Sequence, residues 1–92
     1  SIGDRVRAGS PSTREDLDEQ QRNVFEALRK WRLELARVTE IPPFIIFNDR
    51  TLVELAKQQP LNDAELMAVS GIGEAKAERY GADVLRVIAE SK

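Results

Sequence analysis

The stretch "IPPFIIFNDRTL", residues 41–52, decides how this 92-residue chain folds. Pro42 and Pro43 donate no backbone N–H and push the residue before each of them towards extended geometry, so no helix continues through them. Four large apolar residues follow, too few for a long helix and without the alternation of a half-buried strand. Asn48 or Asp49 then provides the N-cap of a new helix. The stretch therefore predicts a sharp connection between two helices.

The segment before this connection has the periodicity of one long helix. No Gly or Pro interrupts residues 18–38, whose apolar residues recur at i, i+3, i+4 and i+7 and form a single stripe. The stripe consists of Val24, Phe25, Leu28, Trp31, Leu35 and Val38. We expect Trp31 to be a core residue. Arg32 falls inside the stripe, and we expect it to reach an acid such as Asp49 or a carbonyl at a helix end.

Short helices are predicted after the connection. The second helix runs to about Gln58, and Pro60 stops it. For the third helix, Asn62 and Glu65 form a capping box, and a hydrophobic staple joins Leu61 to Leu66. The third helix breaks at residues 70–73, a fourth spans about 74–80 with Gly81 as its C-cap, and a fifth follows.

These elements predict an all-α fold: a compact bundle of about five helices, one long N-terminal helix and four shorter ones, with a short helical turn after Pro42 and Pro43. Residues 1–17, rich in Gly, Ser, Pro and charge, are predicted to be a flexible linker, and residues 18–92 the helical domain. The chain begins without a methionine, which suggests a fragment of a longer protein.

Composition argues against most enzymatic chemistry. The sequence contains neither cysteine nor histidine, so it lacks thiolate nucleophiles, hydrolytic triads and the common zinc ligands. We therefore predict a non-catalytic domain with no cofactor, no metal and no small-molecule substrate. No apolar run approaches the roughly 20 residues of a membrane span, so the expected location is the cytoplasm, with no membrane partner.

Positive charge is concentrated on the long helix. The chain has a net charge of −2, but residues 22–37 carry five basic and two acidic side chains. Most of the basic residues lie opposite the apolar stripe, together with Leu33. One interpretation is an ordinary solvated surface, in which Glu26 and Glu34 pair with Lys30. The other is a path for phosphate groups.

A glycine-containing turn stands at residues 69–80, "VSGIGEAKAERY". A hydrophobic-Gly-hydrophobic-Gly turn that opens a helix is typical of a helix-hairpin-helix, in which free N–H groups bind nucleic-acid phosphates. It is not a dinucleotide fingerprint, because Lys76 stands where the third glycine belongs. The alternative is a tight turn between helices with Gly71 as a C-cap. Glu74 and Glu78 favour that alternative, because they put negative charge where a phosphate would bind.

The segments "LRKWRLELA", "IPPFIIFNDRTLVELAKQQP" and "ELMAVSGIGEAKAERYG", in this order, resemble an HRDC domain, the helicase-and-RNase-D C-terminal module. The resemblance is strongest to the domains of bacterial RecQ-family DNA helicases and covers about residues 24–90. It implies a five-helix bundle that acts as a non-catalytic accessory module of an ATP-dependent DNA helicase. Some members of the family bind single-stranded or structured DNA weakly, and others contact protein.

The resemblance also implies roles for the residues after the two prolines. Ile45, Ile46 and Phe47 match family positions that close the core, whereas Phe44 matches a surface position that is commonly tyrosine and contacts DNA. The phenylalanine lacks the hydroxyl group, and "EAKAE" after Gly73 is less basic than the family pattern.

Two hypotheses follow: a DNA-binding accessory domain, or a module that docks on the helicase core or another protein with little affinity for DNA. The predicted contact residues are Arg22, Arg29, Lys30, Leu33, Arg37, Phe44, Gly71, Gly73, Lys76 and Arg79.

Overall fold

The computed structural model describes residues 17–92, so all of the linker predicted at residues 1–17 except Leu17 lies outside the described residues. Within the described part the chain forms five helices and no strand, which confirms the all-α fold. The helices are α1 (Glu19–Thr39), α2 (Pro43–Ile46), α3 (Asp49–Gln58), α4 (Asp63–Met67) and α5 (Glu74–Ser91). Helix α1 packs against α2, α3 and α5, and α4 packs against α5.

Helix α1 is the predicted long helix. The Asp18 carboxylate accepts from the Gln21 N–H at 2.8 Å, and the Gln21 side chain accepts from the Asp18 N–H at 3.0 Å, so a capping box starts it. The helix ends at Glu40, whose backbone is left-handed with φ 60°. Leu17, at the end of the predicted linker, is buried and joins the core.

The prediction that Val38 belongs to the buried stripe is wrong, because this side chain is 81% exposed. After Thr39 the chain turns back, and the N–H groups of Glu40 and Ile41 both donate to the Ala36 carbonyl. No element of residues 17–92 is left to pack over Val38 in the last turn of α1.

Helix α2 is the predicted helical turn after the prolines. Pro42 precedes it with an extended backbone, and Pro43 is its first residue, where a missing N–H costs nothing. Ile46 and Phe47 are buried as predicted, but Ile45 is 51% exposed, which corrects the expectation that it closes the core. So short a helix has one inward side, and Ile46 and Phe47 occupy it.

The guanidinium group of Arg32 joins α1 to the α2–α3 connection, as predicted. Its Nη1 donates to the Phe47 carbonyl at 2.8 Å, and its Nη2 lies 2.9 Å from the Asp49 carboxylate. Asn48 caps α3 by accepting from the Thr51 N–H at 2.8 Å. One buried arginine therefore binds the carbonyl that follows α2 and the first residue of α3.

The start of α4 differs in detail from its prediction. The Asn62 side chain accepts from the Glu65 N–H at 2.9 Å, as a capping box requires. The Glu65 carboxylate, however, accepts from the Leu61 N–H at 2.9 Å rather than from Asn62. Of the two residues of the predicted hydrophobic staple, Leu66 is buried and Leu61 is 65% exposed.

Helix α5 is continuous, so the prediction of two helices separated by a C-cap at Gly81 is wrong. Gly81 is buried, and a Cβ atom there would lie 3.0 Å from the Leu66 Cδ2 atom. The glycine allows α4 to approach α5 closely. Val84 and Ile88 of the same helix are buried. Their packing stabilises α5 by more than the roughly 1 kcal/mol that a glycine costs in a helix interior.

Three aromatic rings connect α1, the end of α2 and α5. The Phe47 ring centroid lies 6.1 Å from that of Trp31 and 5.5 Å from that of Tyr80, and the Trp31 and Tyr80 centroids are 6.1 Å apart. Trp31 is half-buried and packs against the core, as expected of a residue in the stripe. This cluster holds α2 between the two longest helices.

Candidate nucleic-acid interface

Two grooves flank α2. The first, of about 450 Å³, is called the basic groove here and lies between α1 and α2. It is lined by Glu26, Arg29, Lys30, Arg32, Leu33 and Pro43. The second, of about 600 Å³, is called the α2–α5 groove. It is lined by Ile41, Ile45, Ala75, Lys76, Glu78, Arg79 and Tyr80.

The basic groove brings together three predicted contact residues, Arg29, Lys30 and Leu33, next to the buried Arg32. Glu26 lies 3.7 Å from the Arg29 guanidinium, but both side chains are about half exposed, and such pairs contribute little. The sequence indicated only a structural role for Arg32. In the structure its buried Nε has no hydrogen-bond partner within residues 17–92, so one of the residues that line the groove also carries an unsatisfied buried donor.

Phe44 lies on α2 between the two grooves. Its neighbour Pro43 lines the basic groove, and its other neighbour Ile45 lines the α2–α5 groove. The Phe44 side chain is 66% exposed, in agreement with the predicted surface position. A large exposed ring is costly to leave in water and is suited to stacking on a flat partner. Its role as a contact residue stays a prediction.

Arg22 and Arg37 lie on α1 outside both grooves. Each is exposed, and neither forms an ion pair with an acid in the described part of the chain. At 1.5 Å per residue, they stand about 10 to 12 Å from Arg29 along the helix, in opposite directions. They extend the positive charge of α1 without sharing the basic groove.

The two glycines of the predicted helix-hairpin-helix turn have different roles. Gly71 has φ +94°, and a Cβ atom there would lie 2.5 Å from the Thr51 Oγ1 atom, so this glycine packs the turn against α3. It is not the C-cap of α4, as the alternative prediction held. Helix α4 ends earlier, with Ala68 as its C-cap in a right-handed conformation. Gly73 is the N-cap of α5, makes no side-chain cap, and would have no atom within 4 Å of an added Cβ.

Lys76 and Arg79 belong to the α2–α5 groove and not to the basic groove. The Lys76 ammonium lies 5.4 Å from the centroid of the Phe47 ring, an arrangement in which the ring face attracts the cation. Five of the ten predicted contact residues therefore line a groove: Arg29, Lys30 and Leu33 line the basic groove, and Lys76 and Arg79 line the α2–α5 groove. Ile41, Ile45 and Tyr80 also line the second groove, but the sequence did not predict them as contact residues.

Other kinds of site were looked for in the same residues. No group of three or more acidic side chains within residues 17–92 is arranged to hold a metal ion. None of the helices described above is both long enough and apolar enough to cross a membrane.

The small all-α bundle with its proline-initiated α2 is the fold of a known domain class. The family model of the HRDC domain matches residues 21–88, and the chain belongs to this family. A solved structure, D. radiodurans RecQ HRDC domain 3, superposes with a TM-score of 0.74 at 40% identity and covers 76% of this chain and 92% of that one.

Curated relatives are much longer proteins. The ATP-dependent DNA helicase UvrD2 of Mycobacterium tuberculosis (strain H37Rv) is 40% identical over 73 residues, which make up 79% of this chain and 10% of the helicase. The ATP-dependent DNA helicase RecQ of Bacillus subtilis (strain 168) is 47% identical over 58 residues, 63% of this chain and 10% of the helicase. The chain thus spans about a tenth of the length of these relatives.

Proposed function

We propose that this chain is a non-catalytic accessory domain of an ATP-dependent DNA helicase, in which it binds single-stranded or structured DNA weakly and tunes the choice of substrate. The relatives named above are DNA helicases, and the chain matches a tenth of their length. The sequence has no histidine or cysteine with which to run its own chemistry. The proposed setting is the bacterial cytosol or nucleoid, where such a helicase meets its DNA.

The observation that carries this proposal is the exposed Phe44 ring beside the basic groove. Aromatic rings stack on unpaired bases of any sequence, while nearby cations neutralise the strand's phosphates. In this proposal Arg29 and Lys30 contact the phosphates, and Phe44 stacks on a base. Only about three or four cations reach one strand, so we expect affinity in or below the non-specific range of about 10⁻⁴ to 10⁻⁶ M.

Phe44→Ala is expected to lower affinity for a single-stranded oligonucleotide by about 1 to 3 kcal/mol, the usual contribution of one stacked base. The melting temperature should change little, because the ring is exposed. Phe44→Tyr should hold or improve the affinity, because the hydroxyl adds a donor. Fluorescence-anisotropy titrations paired with thermal melts measure both quantities.

Leu61→Ala is the matched control, since Leu61 is as exposed as Phe44, but neither of its sequence neighbours lines a groove, whereas both neighbours of Phe44 do. It should change neither DNA affinity nor stability appreciably. If Phe44→Ala melts several degrees lower while its affinity per folded molecule is unchanged, Phe44 is a core residue and the stacking role is excluded.

The second candidate is a module that docks on the helicase core or on another protein. Exposed Leu33, Phe44 and Ile45 favour it, because large apolar side chains near one another on a surface are typical of protein contacts. The DNA titration separates the two functions. A domain that binds no oligonucleotide at about 50 mM salt, where non-specific contacts are strong, would have a protein partner instead.

A further inference from the structure

We infer that the α2–α5 groove holds one unpaired base of the bound strand, preferentially a base with an exocyclic amino group. The inference rests on the proposed DNA function and adds a second base site to it. The basic groove and Phe44 account for phosphates and one stacked base, but they leave the larger groove unused. Ile45, the residue next to Phe44, lines that groove, so a strand that crosses α2 at Phe44 can reach it.

The walls of the α2–α5 groove are apolar and aromatic. Ile41 and Ile45 line it from one side and Tyr80 from the other, and half of the Ile45 side chain is exposed. The Tyr80 ring meets the Trp31 ring at 78° and the Phe47 ring at 66°, two edge-type contacts that hold it in place. A base that enters between these walls covers apolar surface and meets a ring that is already ordered, which lowers the entropic cost of binding.

The α2–α5 groove is also lined by charged residues that fit a nucleotide. Lys76 and Arg79 form no ion pair with an acid of residues 17–92, and contact between the Lys76 ammonium and the Phe47 ring helps to orient that side chain. These two cations are placed for the phosphates on either side of an inserted base. Phosphate itself is unsuited to the apolar interior, because burying a charge among hydrocarbon groups is costly.

Glu78 gives the groove a preference among bases. Glu78 lines the same groove, and its carboxylate repels phosphates but accepts hydrogen bonds. Carboxylates accept from the N4 amino group of cytosine, and thymine has no exocyclic amino group. We therefore expect cytosine to bind in preference to thymine.

The test is a substitution that fills the α2–α5 groove with an uncharged side chain. Ala75 lines the groove and is exposed in the first turn of α5, and Ala75→Leu places an aliphatic side chain in the space for the base. Leucine is nearly as good a helix former as alanine, so α5 should be preserved. Ala82→Leu is the matched control, because Ala82 is exposed on nearly the same side of α5, two turns further along, and lines neither groove.

Three fluorescently labelled oligonucleotides of equal length are titrated with each protein: a dC tract, a dT tract and a strand with abasic positions throughout. We expect Ala75→Leu to weaken dC binding at least about fivefold, to leave abasic binding unchanged and to remove the preference for dC over dT. Ala82→Leu should behave like the unmodified domain in all three titrations.

The outcomes separate this inference from the proposed function. If the unmodified domain binds none of the three strands, the proposed function itself fails. If it binds dC more tightly than the abasic strand, and Ala75→Leu leaves that ratio unchanged, DNA binding stands and the base site in the α2–α5 groove is wrong. If Ala75→Leu weakens dC and abasic binding by the same factor, the base site is also wrong, because the substitution would then act on the phosphate contacts. Equal affinity for dC and dT in the unmodified domain would exclude the proposed preference.

Discussion

Phe47→Ala is expected to lower the free energy of unfolding by about 3 to 5 kcal/mol, the range for truncation of a buried aromatic side chain. Phe47 is 1% exposed, and its ring contacts the rings of Trp31 and Tyr80 and the Lys76 ammonium. Its removal leaves a cavity where α1, α2 and α5 meet. For so small a domain, this is a large part of the total stability. Chemical denaturation followed by circular dichroism measures the loss.

Phe44→Ala provides the comparison for Phe47→Ala. The two substitutions remove the same side chain, three residues apart in one sequence segment, but Phe44 is 66% exposed. We expect Phe44→Ala to cost less than about 1 kcal/mol, because surface substitutions away from special features have small effects. Equal losses of unfolding free energy for the two variants would contradict the conclusion that Phe47 is buried and Phe44 is exposed.

Gly71→Ala is expected to destabilise the domain by about 2 to 4 kcal/mol, from left-handed backbone strain and overpacking together. Its φ of +94° is unfavourable for alanine, and the added Cβ would lie 2.5 Å from the Oγ1 atom of Thr51, a buried residue of α3. Thr51 cannot yield easily, because its side chain is short and packed. Thermal and chemical denaturation measure the effect.

Gly73→Ala is the control in the same turn. Nothing lies within 4 Å of a Cβ at this position, and the backbone has φ −94°, so the cost should stay within about 1 kcal/mol. Combining Gly71→Ala with Thr51→Ala removes the overlap but not the backbone strain, so part of the loss should be recovered. If Gly71→Ala and Gly73→Ala cost the same, the packing of Gly71 against α3 does not contribute to stability.

Local signals in the sequence predict most of the helices. Proline geometry and capping side chains act over a few residues, so the connection at Pro42 and Pro43 and the caps at Asn48 and Asn62 follow from the sequence. Local signals do not predict the role of Gly81. A glycine flanked by helical sequence is compatible with a C-cap or with close packing, and only the approach of the Leu66 side chain decides in favour of packing.

The candidate site was predictable only within one helix. The common side of Arg29, Lys30 and Leu33 follows from helical periodicity, because 100° per residue fixes their relative directions. The separation of Lys76 and Arg79 into another groove depends on how α5 packs against α1 and α2, which no local pattern encodes. The family resemblance implied that Ile45 is a core residue, but tertiary contacts set the orientation of so short a helix and leave Ile45 half exposed.

The salt dependence of single-strand binding tests the central claim most directly. With three or four cations engaged, the logarithm of the association constant should fall against the logarithm of salt concentration with a slope of about −2 to −3. The double variant Arg29→Gln/Lys30→Gln should make this slope less negative by about 1.4, because each lost phosphate contact reduces the magnitude of the slope by about 0.7. Arg50→Gln/Arg86→Gln changes the net charge equally outside both grooves and should leave the slope nearly unchanged. Nanomolar binding that is insensitive to salt, or equal slopes for the two double variants, would contradict the account.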